Sequence, residues 1–258
     1  PLKITKKELI EKLGDAVSES QICEDSLVLN KLNLDSSLFT KGYYIVQDEA
    51  SALVATSIGL PVDKEYKILD TCAAPGGKSL HIASKYFNSN LISCDKYIHK
   101  LKLIEENKDK LGIVNIEVRE QDATLNNTSF NDKFNIVICD VPCSGIGVIK
   151  NKPEIKYKIT NSYVEDIAKL QYDILENSKK YVKQDGILMY STCTIDKREN
   201  IGNIEKFLKE NKDFCLESIT LNNSIVKTRE NGVLEILPDE YSCDGFFIAK
   251  LRKMEEKC

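Results

Sequence analysis

Histidine is scarce here, with two among 258 residues, and although there are nine cysteines no two of them form a C-x-x-C pair. A structural zinc site draws on those residue types at such spacings, so no metal is expected. No apolar run approaches the roughly 20 residues needed to span a bilayer, and nothing at the amino terminus resembles a secretory leader. A membrane partner is therefore not expected, and the odd set of cysteines reads as reduced thiols in a cytoplasmic setting. Excess positive charge is also missing: the formal net charge is -4, so any contact with nucleic acid must come from a local patch. The sequence opens on Pro1 without a methionine and reads as part of a longer protein.

What is present suffices for one sizeable domain with a small accessory module, and a monomer is expected. Residues 1–41 have a texture of their own. Residues 5–13 predict an amphipathic helix with Thr5 and Glu8 as a capping box, and residues 26–29 and 38–39 predict short strands, together a small α+β module. Lys3, Lys6, Lys7 and Lys12 could face nucleic acid, or they could simply be a solvated helix face.

Residues 42–258 read differently. Asp48 predicts the N-cap of a helix that Pro61 stops. Strands are then predicted at 66–71, 91–94, 116–118, 134–139 and 186–192. Helices at 78–87, 97–111, 163–182 and 199–208 alternate with them, and late strands follow at 214–219 and 246–251. Residues 222–235 read as a polar loop. Near-continuous apolar strands alternating with helices imply an α/β fold with a doubly wound, mostly parallel, seven-stranded sheet. Ligands of such sheets bind beyond the carboxyl ends of the strands. Those ends carry Asp70, Asp95, Asp122, Asp140 and Cys193. One strand-end aspartate is often only a turn residue or helix cap, but five polar residues at five ends are more specific.

The first of these ends runs into a glycine turn, Cys72-Ala73-Ala74-Pro75-Gly76-Gly77, and then a helix opening at Lys78. A turn of small residues before a helix N-terminus suits a nucleotide-like ligand. A dinucleotide fingerprint needs G-x-G-x-x-G, which is absent. Gly77-Lys78-Ser79 matches the end of a phosphate-binding loop, but Cys72 stands where its first glycine belongs. S-adenosylmethionine has a ribose and an adenine but no phosphates, and asks for a turn plus acidic residues. Asp95 lies at the distance expected of a ribose-binding acid, and Asp122 could face the adenine.

Free cysteines are usually small core residues, which suits Cys94 and Cys139. It suits Cys143 and Cys193 poorly. Both sit in polar turns, Asp140-Val141-Pro142-Cys143-Ser144-Gly145 and Ser191-Thr192-Cys193-Thr194, just beyond neighbouring strands.

The segments DTCAAPGGKS, DVPCSG and STCT, in this order on this fold, resemble the Sun-type RNA (cytosine-5) methyltransferases from about residue 42 to 253. GVIKNKPEIKYK and AKLQYDIL are most similar to the bacterial 16S ribosomal RNA branch, B type. The resemblance implies a Rossmann-like S-adenosylmethionine-dependent methyltransferase fold over residues 42–258, preceded by an RRM-like module at 1–41. An extra helical RNA-binding domain, usual in that branch, is absent from this sequence. It also implies that Cys193 is the nucleophile, that Cys143 assists product release, and that Asp140 contacts the base edge and the cofactor end. Cys72, Ala73, Ala74, Pro75, Gly76, Gly77, Lys78, Asp95, Asp122 and Asp140 would hold S-adenosyl-L-methionine, with Lys78 orienting Asp140. The family's Pro-Glu-Glu-Asn appears here as Lys197-Arg198-Glu199-Asn200, and Val141 stands where Pro is frequent. The implied partner is 16S ribosomal RNA or a small-subunit precursor, with tRNA as the alternative within the family. Lys150, Lys152, Lys156 and Lys158, with Tyr157 among them, form a local basic patch for RNA; a solvated lysine loop is the plainer alternative.

Overall fold

Side-chain alternation along the central strands decides what each face of the sheet buries. Ile68, Ile136, Ile138, Ile187, Met189 and Ile248 pack on one side, and Leu69, Val137, Leu188, Tyr190 and Phe247 on the other, all of them buried. Both faces are apolar because helices cover both. The computed structural model describes residues 3–30, 36–222, 224–226 and 232–255.

At the amino end, α1 (Lys6–Leu13) begins with the predicted capping box, the Thr5 N–H donating to the Glu8 carboxylate at 2.8 Å. β1 (Val17–Glu19) and β2 (Leu27–Leu29) pair antiparallel. α2 (Ser36–Thr40) is helical where the sequence predicts a strand at 38–39. Its conformation is set by tertiary packing: Phe39 rests against Tyr44 and beneath the Lys110 ammonium, 3.9 Å from the ring centroid. Two of the four lysines suggested for nucleic acid are otherwise engaged. Lys3 donates to the Lys41 and Lys110 carbonyls, and Lys6 to the Glu24 carbonyl at 2.7 Å; Lys7 and Lys12 stay exposed.

Asp48 caps α3 (Glu49–Ser57) as predicted, accepting the Ala50 N–H at 2.9 Å. The alternating part follows with β3 (Lys67–Asp70), α4 (Gly77–Lys85), β4 (Asn90–Asp95), α5 (Ile98–Leu111), β5 (Ile116–Glu120) and β6 (Phe134–Asp140). Then come α6 (Asn161–Ser178), β7 (Val182–Thr192), α7 (Ile201–Glu210), β8 (Phe214–Leu216), β9 (Val233–Ile236), α8 (Pro238–Tyr241) and β10 (Phe246–Lys253). Across the sheet the order is β5-β4-β3-β6-β7-β10-β8. The first five strands are parallel, and β10 is antiparallel to β7.

Among the described residues the sheet has seven positions, as expected, but eight strands. β8 pairs with residues 251–253 of β10, and β9 with residues 246–249 of the same edge. β9 begins within the stretch 222–235 read as a loop; the rest of that reading falls partly outside the described residues. Val233, Leu234 and Ile236 are buried against β10, which is what holds this short run extended.

Cys94 and Cys139 are fully buried core thiols, and burial pushes both up to about 12. Among the described residues no helix is long and apolar enough to cross a membrane. The chain leaves β3 for β4 on one side of the sheet, while β6 pairs on its other side. The carboxyl ends of β3 and β6 therefore flank the topological switch point, where ligands of such sheets bind.

Candidate active site

β3 ends on Asp70, which is fully buried. It accepts the Ser79 hydroxyl at 2.6 Å and the Cys72 N–H at 3.3 Å, so it anchors both sides of the glycine turn. Burial pushes Asp70 up to about 7, against the pull of those hydrogen bonds. Gly76 precedes α4 with φ +108°, and a Cβ there would press within 3.2 Å of Ile104, so the turn requires glycine on both counts. Asp95 ties the turn to the next strand: one carboxylate oxygen accepts the Ala74 N–H at 3.3 Å, the other the Tyr97 N–H at 3.0 Å. Across the edge the order is Asp122, Asp95, Asp70, Asp140, Cys193. Asp122 is paired with Lys96 at 2.7 Å, which with Thr124 holds its carboxyl down at about 2.

Lys78, in the first turn of α4, reaches across the switch point to Asp140 at 2.7 Å, and Asp140 also accepts the Ser191 hydroxyl at 2.7 Å. Burial by itself would depress Lys78, but Asp140 and, further down, Cys193 outweigh it and raise it. With its ammonium given to Asp140, Lys78 is not placed as the lysine of a phosphate cradle, which counts against that alternative.

The two cysteines meet. β6 and β7 are parallel neighbours, and their loops bring Cys143 Sγ and Cys193 Sγ to 3.1 Å. The pair is asymmetric. The hydrogen bond from Cys143, and then Lys78, lower Cys193 below an ordinary thiol against burial and Asp140. The same hydrogen bond, burial, the charge of Cys193 and, least of these, the charge of Glu199 raise Cys143 well above one. One thiolate and one thiol in contact is what these surroundings favour.

A polar network that sequence reasoning did not assemble lies beneath the pair. Gln171 of α6 is fully buried; its amide donates to the Pro142 carbonyl at 2.9 Å and to Glu199 at 2.8 Å. Tyr190 of β7 donates to the Glu199 carbonyl at 2.5 Å, and Asn200 holds the Thr194 carbonyl at 2.9 Å. The available signal was position. Gln171 shares the inward helical stripe of Val164 and Leu175, a place for an apolar residue unless a polar partner waits there.

Lys150, Lys152, Lys156 and Lys158 are all exposed on the turns that follow Cys143. Tyr157, 81% exposed, lies beneath the Lys156 ammonium. The structure thus gathers Lys78, Asp140, Cys143 and Cys193 into one cluster, with the turn at 72–77 and Asp95 beside it and the lysines on the adjoining surface.

A family model described as 16S rRNA methyltransferase RsmB/F matches residues 57–252. The chain is 37% identical over 261 residues to a probable ribosomal RNA small subunit methyltransferase B of Bacillus subtilis, covering 98% of this chain and 58% of that protein. It is 34% identical over 216 residues to ribosomal RNA small subunit methyltransferase B of Shewanella oneidensis, with 84% and 49% covered. The chain therefore spans about half the length of these curated relatives. Among solved structures it is similar to NSun6 from Pyrococcus horikoshii with SFG, with a TM-score of 0.74 and 31% identity over 89% of this chain and 57% of that one. It is also similar to a methyltransferase homolog protein from the same organism, with a TM-score of 0.83 and 25% identity over 98% of this chain and 84% of that one.

Proposed function

Because the chain belongs to the 16S rRNA methyltransferase RsmB/F family, we propose that it methylates C5 of a cytosine in 16S ribosomal RNA, free or in a small-subunit precursor, through a covalent bond from Cys193 to C6. The observation that carries this reading is the Cys143–Cys193 contact at 3.1 Å beside the Lys78–Asp140 pair at 2.7 Å.

The residues suit S-adenosyl-L-methionine. The turn at 72–77 is built of small residues and leads into α4, whose first N–H groups meet no side-chain cap among the described residues; each Asp95 oxygen accepts one backbone N–H there and has a further lone pair for a ribose hydroxyl. Bound there, the cofactor supplies an electrophilic methyl group on a sulfonium.

C5 of cytosine is a weak nucleophile. Addition of the Cys193 thiolate to C6 forms a C–S bond and makes C5 electron-rich enough to take the methyl. Asp140, held by Lys78 and Ser191, would contact the base edge and stabilise charge as the ring becomes electron-rich. Loss of the C5 proton to water then restores the C5–C6 double bond and expels the Cys193 thiolate, with Cys143 assisting release. The target base must be unstacked, so a loop or flipped cytosine is expected; by the resemblance to the 16S branch it would lie near the ribosomal P site. Lys150, Lys152, Lys156 and Lys158 would hold the flanking backbone, and residues 1–41 would serve as an RRM-like RNA module beside the catalytic domain at 42–258. The reading takes the protein to act as a monomer, and in the cytoplasm, where thiols stay reduced.

The test uses purified protein, methyl-labelled S-adenosylmethionine and unmodified small-subunit RNA, with tRNA in parallel and Cys193→Ala as control. Label at C5 of one cytosine of the small-subunit RNA, abolished by Cys193→Ala, is the expected result. Label on tRNA alone would refute the substrate, and normal transfer by Cys193→Ala would refute the nucleophile.

A further inference from the structure

Two loops carry the two sulfurs, and one buried side chain grips both. Glu199 lies between β7 and α7 with no exposed surface, and four uncharged donors meet its carboxylate. Oε2 accepts the Ser144 backbone N–H at 2.8 Å and the Gln171 amide at 2.8 Å. Oε1 accepts the hydroxyl of Ser144 and, at 3.2 Å, that of Thr194. Ser144 follows Cys143 and Thr194 follows Cys193, so the carboxylate holds the residue after each sulfur. Buried anions are held by charge-assisted hydrogen bonds of this kind.

The charges around the pair are unevenly placed. The titratable groups facing it are Lys78 from α4, Asp140 at the end of β6, Tyr190 of β7, and Glu199. Lys78 and, more strongly and in the opposite sense, Asp140 act on Cys193, while Glu199 takes both the backbone N–H and the hydroxyl of Ser144, next to Cys143, but only the hydroxyl of Thr194.

We propose that Glu199 is the positioning residue of the thiol pair: it ties the Cys143 and Cys193 loops together and places a negative charge beside Cys143, so that Cys193 carries the anion and Cys143 keeps the proton. The inference rests on the methyltransferase reading above, in which Cys193 is the nucleophile. It gives one carboxylate two effects, setting the distance between the sulfurs and adding to the bias that leaves Cys193 to attack. Gln171 supports it from α6, linking Glu199 to the carbonyl of Pro142, the residue before Cys143.

The test is alkylation by iodoacetamide across pH, read separately at Cys143 and Cys193 by peptide mass spectrometry, with methyl transfer measured alongside. In the wild-type protein Cys193 reacts about tenfold faster than Cys143 near pH 7. Glu199→Gln removes the charge but keeps an oxygen for the Ser144 N–H and the Gln171 amide, and its own NH2 can donate to the two hydroxyls. It is expected to raise the Cys143-to-Cys193 alkylation ratio roughly fivefold, and to lower kcat with the KM for RNA unchanged. Glu199→Asp, which restores the charge, brings the ratio back. Thr194→Val removes one donor and leaves the carboxylate, and its ratio stays within about twofold of wild type.

Equal reactivity of the two cysteines in the wild-type protein overturns the proposal, and that arm holds even if Glu199→Gln does not fold. So does an unchanged ratio in folded Glu199→Gln, or an equal rise in Thr194→Val. If the wild-type protein transfers no methyl group, the parent reading fails, while the alkylation ratios still decide the charge assignment.

Discussion

Gly147 and Gly245 pass so closely that a Cβ built on Gly147 would sit 2.2 Å from the Gly245 carbonyl oxygen and 2.8 Å from that of Cys193. The contact is also bonded: the Gly245 N–H donates to Gly147 O at 2.8 Å, and the Gly147 N–H to Cys193 O at 3.1 Å. The loop after Cys143 is thus threaded between the Cys193 loop and the start of β10. Both neighbours are backbone and cannot swing aside. Gly147→Ala must push the Cys143 loop outward, and a misplacement of about 1 Å at a reacting centre costs on the order of a hundredfold in rate. The expected outcome is a loss of that size in methyl transfer, with S-adenosylmethionine affinity retained in calorimetry. A fully active Gly147→Ala would show that the close passage has no bearing on the cysteines.

Lys78 joins the turn to the cysteines, and its removal should be visible in pH dependence. Lys78 lowers Cys193, whereas Asp140 raises it. Lys78→Met leaves Asp140 unopposed, so the pair loses its first proton at higher pH. The acid limb of kcat/KM then moves upward, and Cys193 alkylation near neutral pH slows by roughly tenfold. An unmoved acid limb would detach Lys78 from the chemistry of the thiols.

Asp70 gives a stability signature of opposite sign to the usual carboxylate. Burial holds it up to about 7 in the fold. The unfolded chain releases that proton at about 3.9, so the protein loses stability as pH rises from there to about 7. Asp70→Asn cannot titrate, and its side-chain oxygen can still accept the Ser79 hydroxyl. Its stability relative to wild type should rise across that interval by about 2 kcal/mol or more, read by denaturant melts at several pH values. A constant difference across the interval would contradict the burial argument.

Asp25 behaves the ordinary way. Burial would raise it, but His81 at 3.1 Å and Lys85 at 2.8 Å, both on α4, overcome this and hold it well below the usual carboxylate range. The stabilisation is present above the unfolded carboxylate value and is lost as pH falls below it. Asp25→Asn should cost about 1 kcal/mol near neutral pH, a cost that disappears in acid, and should speed proteolysis within residues 3–30. Equal stability of variant and wild type at neutral pH would mean that this contact does not hold the amino-terminal segment to α4.

Much of the catalytic half was legible because its signals are local. Apolar runs of strand length, punctuated by aspartates and small-residue turns, place β3, β4, β6 and β7. The parallel pairing of β6 with β7 then brings Cys143 to Cys193. What escaped depends on contacts distant in sequence. Leu38 and Phe39 form a short apolar run that reads as a strand, yet it lies in a helix, where Phe39 meets Tyr44 and Lys110. Val233 to Ile236 becomes a strand only because the edge of β10 is there to pair with it. Lys3 looks like a surface lysine until the Lys110 carbonyl comes within reach. Gln171 lay within a segment already singled out, but its role needs Pro142 and Glu199, 29 and 28 residues away.

The covalent step is the centre of the account, and it can be trapped. Cys143→Ala protein would be incubated with S-adenosylmethionine and unmodified small-subunit RNA, denatured, and resolved for a protein–RNA species that survives denaturation. The account predicts such an adduct in Cys143→Ala, its bond mapped to Cys193, and none when Cys193→Ala is added to the same chain. An adduct that persists without Cys193, or one mapped to another residue, would contradict it.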